Sequence, residues 1–169
     1  MVINMISETY VECLVKKKTG TVLLLLRILY VMLTVVFVLI GLIIWPALII
    51  AALTGIAAYF IFLNSDLEYE YLYLDKEITV DKVMAKTRRK RLAKYDVQRL
   101  EIFAPMGSYH LNEYKNRTVK TYDYSSGEAK QPEQRYVMYY EGGQRVILEP
   151  GMNLVKAMKS AAPRKVFTD

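Results

Sequence analysis

Polar and apolar positions follow two regimes along this chain. Residues 28–62 contain no Asp, Glu, Lys, Arg, His, Asn or Gln, and the longer stretch Thr21–Leu63 is broken by one charge, Arg27. A bilayer core about 30 Å thick takes about 20 apolar residues of helix. As one straight helix at ~1.5 Å per residue, the whole stretch would run roughly 65 Å, too far for one crossing. The sequence Gly41-Leu42-Ile43-Ile44-Trp45-Pro46 supplies a break. Gly41 weakens the first helix, Pro46 suits the first position of a second, and Trp45 suits a membrane–water boundary. The pattern predicts two crossings, near 22–41 and 46–63, joined by a very tight turn. A kinked single helix or a re-entrant pair is the alternative. A buried soluble hairpin is disfavoured, since the remaining ~105 residues could hardly wrap it.

Beyond residue 63 the period changes to two. Leu67–Leu74 puts Tyr69, Tyr71 and Tyr73 on one face and Glu68, Glu70, Leu72 and Leu74 on the other, the pattern of a strand. Asp75-Lys76-Glu77 reads as a turn and Ile78–Met84 as the returning strand. Thr87–Lys90 is expected at the next hairpin tip, with Arg91–Tyr95 as a third strand. A turn at Asp96-Val97-Gln98 precedes Leu100–Phe103. Pro105–Ser108 breaks the pattern, and Ser108 is placed to cap a short helix through Tyr114; an irregular loop is the alternative. Arg117–Tyr124 alternates again, and Ser125–Gln134 is the most loop-like segment. Arg135–Glu141, Gly142-Gly143 and Gln144–Leu148 read as a second hairpin. Leu154, Val155 and Met158 share a helical face, and Pro163 ends that helix.

The first 20 residues are expected to be a cytoplasmic tail or an amphipathic segment. Ile3, Ile6, Tyr10 and Leu14 fall near one helical face, which suits a helix lying on the membrane surface. Glu8 and Glu12 ahead of the Lys cluster, and an overlong apolar run, argue against a cleaved signal. Lys16, Lys17, Lys18 and Arg27 precede the first crossing, and Lys76, Lys82, Lys86 and Arg88–Arg91 follow the second. The connecting turn carries no charge. Positive charge stays on the cytoplasmic side, so both termini are expected there, in a multi-pass protein of the cell membrane. Arg27 is expected to snorkel to the headgroups.

Residues 64–169 hold nineteen Lys and Arg against fifteen Asp and Glu, and eleven of the 14 Tyr. That suits one small, strand-rich domain. The single cysteine, Cys13, excludes an internal disulfide. With one Cys and one His there is no Cys/His metal set, and no cofactor motif is present. A catalytic device would have to use His110, which is expected to be a turn or surface residue. Glu68 and Glu70 are expected on a solvated face or as partners of the basic hairpin. The chain is therefore read as a non-enzyme.

The positive signal is charge. Residues 82–94 hold Lys82, Lys86, Arg88, Arg89, Lys90, Arg91 and Lys94 and no acid. Such a segment close to an inner leaflet attracts anionic lipid, so Lys86 and Arg88–Arg91 are candidate lipid-facing residues. The competing reading is that they only set topology or solubilise a strand pair. Nucleic acid is disfavoured, since no stacking module accompanies the charge. In the second crossing Ala47, Ala51 and Gly55 recur every four residues, a spacing that lets helices pack closely. Packing within the chain is the simplest use and homo-oligomerisation the sharper one.

Two crossings followed at once by Tyr69–Val80, a basic strand pair and Val97–Ile102 resemble the bacterial membrane-anchored PH-like domain proteins. The chain also resembles a small family of Firmicute membrane proteins of this size. The resemblance covers about 22–161 and rests on element order; the long 104–134 region departs from it. It implies a membrane-anchored α+β fold. A two-helix transmembrane hairpin (21–63) would precede a mainly antiparallel, PH-like β domain (64–169) closed by a C-terminal helix. It implies no catalytic residues. Two functions follow as expectations. One is a scaffold whose cytoplasmic domain binds a protein or the lipid surface, with exposed strand edges or the Tyr-rich face carrying a protein contact. The other is an accessory subunit of an envelope or transport complex, bound through its hairpin.

Overall fold

A computed structural model describes residues 10–128 and 134–169 of the chain. Those residues form two compact units. One comprises Lys17–Glu68 with Val83–Arg89; the other comprises Tyr69–Lys82 with the described parts of Met1–Lys16 and Lys90–Asp169.

The first unit is built on two helices, α1 (Thr21–Gly41) and α2 (Ala47–Ser65). Both are long and apolar enough to cross a membrane. The core helix of a soluble protein would be mostly buried. Here none of the most apolar stretch of α1, and 17% of that of α2, is buried. Gly41 serves the turn by its lack of a side chain. A Cβ there would lie 3.2 Å from the Leu48 backbone nitrogen and closer still to the Leu48 side chain. Backbone bonds from Ile44 to Ile40 and from Leu48 to Trp45 carry the chain through the turn, and Trp45 is exposed. The Thr34 and Thr54 hydroxyls are 3.2 Å apart across the pair. The Arg27 guanidinium stacks 4.2 Å from the Phe62 ring centroid.

Ala47 and Ala51 are buried, and a Cβ on Gly55 would be 3.7 Å from the Thr34 Cγ2 methyl. The small-residue positions thus lie at the contact between the chain's own two helices. Ala51→Leu is expected to wedge the pair apart at a cost of about 1–3 kcal/mol. Leu53→Ala, at an exposed position, should leave a thermal melt in detergent almost unchanged.

The second unit is two four-stranded sheets and a helix. In the first sheet the order is β1 (Val11–Lys16), β2 (Leu67–Leu74), β3 (Glu77–Met84), β4 (Arg88–Asp96). The second runs in the order β5 (Leu100–Pro105), β7 (Tyr136–Tyr140), β8 (Gln144–Leu148), β6 (Lys120–Asp123). Its β5–β7 and β7–β8 pairs are antiparallel and β6–β8 is parallel. The C-terminal helix α3 (Met152–Ala161) buries Leu154, Val155, Ala157 and Met158. Tyr71, Ile78, Phe103, Met138 and Leu148 are fully buried in the same core. The edge of β5 is covered by the chain's own end: Phe103 N–H donates to Lys165 O and Phe167 N–H to Phe103 O, both at 2.8 Å.

The N-terminal segment departs from its expectation. Residues 11–16 form a strand, neither a tail nor an amphipathic helix; residues 1–9 of that reading lie outside the described residues. Val11, Cys13 and Val15 alternate inward onto the core. The helical face drawn through Tyr10 and Leu14 is the exposed side of this strand. Strand β1 therefore precedes the helical hairpin in sequence, and the hairpin is an insertion between neighbouring strands of one sheet.

Candidate functional site

The basic segment is placed differently from its expectation. The tip of the β3–β4 hairpin is Ala85-Lys86, with φ of 47° and 56°; Arg88–Arg91 lie in β4. Two non-glycine residues in the left-handed region are held only where the surroundings over-determine them. Two bonds do so: Thr87 N–H donates to Met84 O at 3.1 Å, and Ala85 N–H donates to Asp66 O at 2.8 Å. The second ties the tip to the residue that follows α2. Lys17 N–H donates to Leu67 O at 2.8 Å, and Thr19 Oγ1 donates to Ser65 O at 2.7 Å. The start of α1, the end of α2 and the basic tip are thus knotted together inside the first unit. The knot carries Lys17, Lys18, Lys86, Arg88 and Arg89 against Asp66 and Glu68.

The remaining basic positions, Lys90 and Arg91, belong to the second unit. Both are exposed, and Arg91 Nε lies 3.5 Å from Oδ1 of Asp81, a buried carboxylate. At that distance the guanidinium sits beside the buried charge without hydrogen-bonding this oxygen, so it offsets only part of the cost of burying the acid. The nearby Lys94–Glu77 pair is solvent-exposed and contributes little.

The solvated face expected for the two acids of β2 does not extend to Glu70. Glu70 is 1% exposed and Glu68 is half-buried. Nor is the Tyr-rich face available to a partner: Tyr69, Tyr71 and Tyr73 are all buried. The Tyr71 hydroxyl donates to Tyr124 O and accepts from Glu149 N–H at 3.4 Å. Burial pushes its phenol far above the usual tyrosine range. Tyr95 moves the same way through burial, with the Tyr124 phenol adding to it. Burial also raises Tyr73, Tyr124 and Tyr136.

Ser108 caps a 3-10 turn over Tyr109–Tyr114, accepting from His110 N–H at 3.3 Å. His110 stacks 3.7 Å from the Phe167 ring and 3.9 Å from the Tyr109 ring, centroid to centroid, and its Nε2 is 3.9 Å from Asp169 Oδ1. A ring held between two others suits packing better than proton transfer. The second unit also has a cleft of about 610 Å³, lined by Cys13, Lys16, Ser126, Glu149 and Gly151 among others. Sequence reasoning missed it because it depends on β1. Its Glu149 carboxylate accepts from Ser126 N–H at 2.8 Å, and Cys13 Sγ packs 4.0 Å from Glu149 O.

Two apolar helices, then antiparallel-rich sheets and a closing helix, are consistent with a PH-like domain. The family model described as bacterial PH-like domain (DUF6106) matches residues 7–168. The chain belongs to this family. The match takes in β1 as well as α3, so the strand ahead of the helical hairpin lies within the bacterial PH-like domain as the family defines it. No curated protein and no solved structure is matched by the chain.

Proposed function

We propose that this bacterial PH-like protein is a non-catalytic membrane scaffold. Its two apolar helices span the cell membrane, and its β domain binds a protein or the lipid surface on the cytoplasmic side. The observation that carries this is the shared sheet of β1 and β2. These strands flank the helical hairpin in sequence, and hydrogen-bonded neighbours stand on one side of any membrane. A two-crossing hairpin meets that requirement and a single crossing does not. The cations sit at the strand end of the helices and none lies in the turn, which favours the cytoplasm for that end. Recruitment through the hairpin draws less support, because Ala47 and Ala51 are buried within the pair. A non-catalytic role is supported by the stacked His110 and the packed Cys13.

Cys13 is a poor topology reporter, because it is part-buried. In a Cys13→Ala background, Ile43→Cys at the turn and Leu14→Cys on β1 are both at exposed positions. In intact cells an impermeant thiol reagent is expected to label Ile43→Cys and spare Leu14→Cys. The reverse pattern would overturn the orientation. Protection of both, with labelling of both after lysis, would overturn the spanning hairpin.

A further inference from the structure

We infer that the knot at the base of the helices is a seat for anionic phospholipid headgroups, formed by Lys17, Lys18, Lys86, Arg88 and Arg89. The inference rests on the reading that the helices span a membrane. At 1.5 Å per residue, the 21 residues of α1 and 19 of α2 are roughly 30 Å long, the thickness of a hydrocarbon core. Thr21 and Ser65 then fall at its boundary, and the residues knotted to them fall at the depth of the headgroup phosphates. Outside its helices, the unit that holds this knot carries five cations and two acids. The seat is built in advance. Lys86 is fixed in the left-handed region, and the bond from Ala85 to Asp66 holds the tip beside the helix end. Such a seat reads charge at a fixed depth, which distinguishes it from a nucleic-acid surface or a general solubilising patch. Arg91 belongs to the other unit and is left out of it.

The test uses the full chain in mixed micelles holding equal phosphatidylglycerol and phosphatidylcholine, with retained lipids counted by native mass spectrometry. One variant combines Lys18→Gln, Lys86→Asn and Arg88→Gln; Asn at 86 accepts the left-handed conformation. A control removes the same charge elsewhere, through Lys115→Gln, Lys156→Gln and Arg164→Gln. The wild type is expected to retain phosphatidylglycerol over phosphatidylcholine by about tenfold, given an attraction that grows with each neighbouring cation. The variant should fall close to parity and the control should not change. Equal retention by the wild type, an equal loss in the control, or displacement of the lipid by millimolar inorganic phosphate would overturn the inference. Alkaline carbonate extraction of cell membranes separates the two levels. Release of the wild type would sink the spanning reading itself, whereas membrane retention without lipid preference would sink only the headgroup seat.

Discussion

A fragment of residues 64–169 is expected to aggregate, although it contains seven of the eight strands among the described residues, and α3. Without β1 the core loses Val11, Cys13 and Val15, a burial of about 3–5 kcal/mol at ordinary transfer values. Whole domains are stable by only about 5–15 kcal/mol. The loss also bares the edge of β2, whose Tyr-rich strand would become a template for pairing with other chains. The structure specifies the repair. Lys17 N–H meets Leu67 O and Thr19 Oγ1 meets Ser65 O, so the two ends of the helical hairpin are in contact. Joining residues 10–18 to 66–169 through a short Gly/Ser linker should give a soluble monomer with a cooperative melt. Size exclusion and circular dichroism of both proteins test this. A 64–169 fragment that is monomeric and melts with the linked protein would show β1 to be dispensable.

Alkali is expected to unfold the β domain well before it would a tyrosine-poor one. Tyr71 and Tyr95 are buried, and their phenols are held protonated far above the usual range by that burial. In the unfolded chain they ionise near pH 10. Above that pH the unfolded state has released protons that the native state keeps, so stability falls as pH rises. Below about pH 10 both states are protonated and this contribution is level. Each phenol gives a slope of about 1.4 kcal/mol per pH unit, so the two together give roughly 3. Tyr71→Phe should behave in two ways. At neutral pH it leaves Tyr124 O and Glu149 N–H without that hydroxyl, costing about 1–3 kcal/mol. In alkali its decline should be shallower than that of the wild type. Denaturant melts of the full chain in detergent, from about pH 8 to 12, would decide. Parallel slopes for the two proteins would show that Tyr71 does not couple folding to ionisation.

Legibility in the sequence depended on whether a signal was local. The apolar run, Gly41 and Pro46 defined the two helices to within two residues of their observed limits, because bilayer thickness and backbone conformation act on a few neighbours at a time. Strict alternation did the same for β2 and β3, and Gly142-Gly143, with φ of 83° and 74°, for the turn between β7 and β8. The segment Val11–Lys16 alternates in burial but not in sequence, since apolar Leu14 falls on the outward side, and six such residues do not outweigh a helical face extended through Ile3 and Ile6. Its partner β2 lies beyond the whole hairpin, where no local pattern reaches.

What the sequence by itself determined was the apolar hairpin, the strand-rich domain behind it and the basic character of residues 82–94. What only the tertiary structure decided was which of these meet. It brought β1 across 50 residues of intervening chain to complete the first sheet. It buried the tyrosines that an alternating pattern could equally have exposed. It divided the cations, setting Lys86 at a tip tied to Asp66 and Arg91 beside Asp81. The physical reason is that alternation states that a strand has two faces but not which one is covered. Covering requires a second layer, and that layer comes from distant parts of the chain.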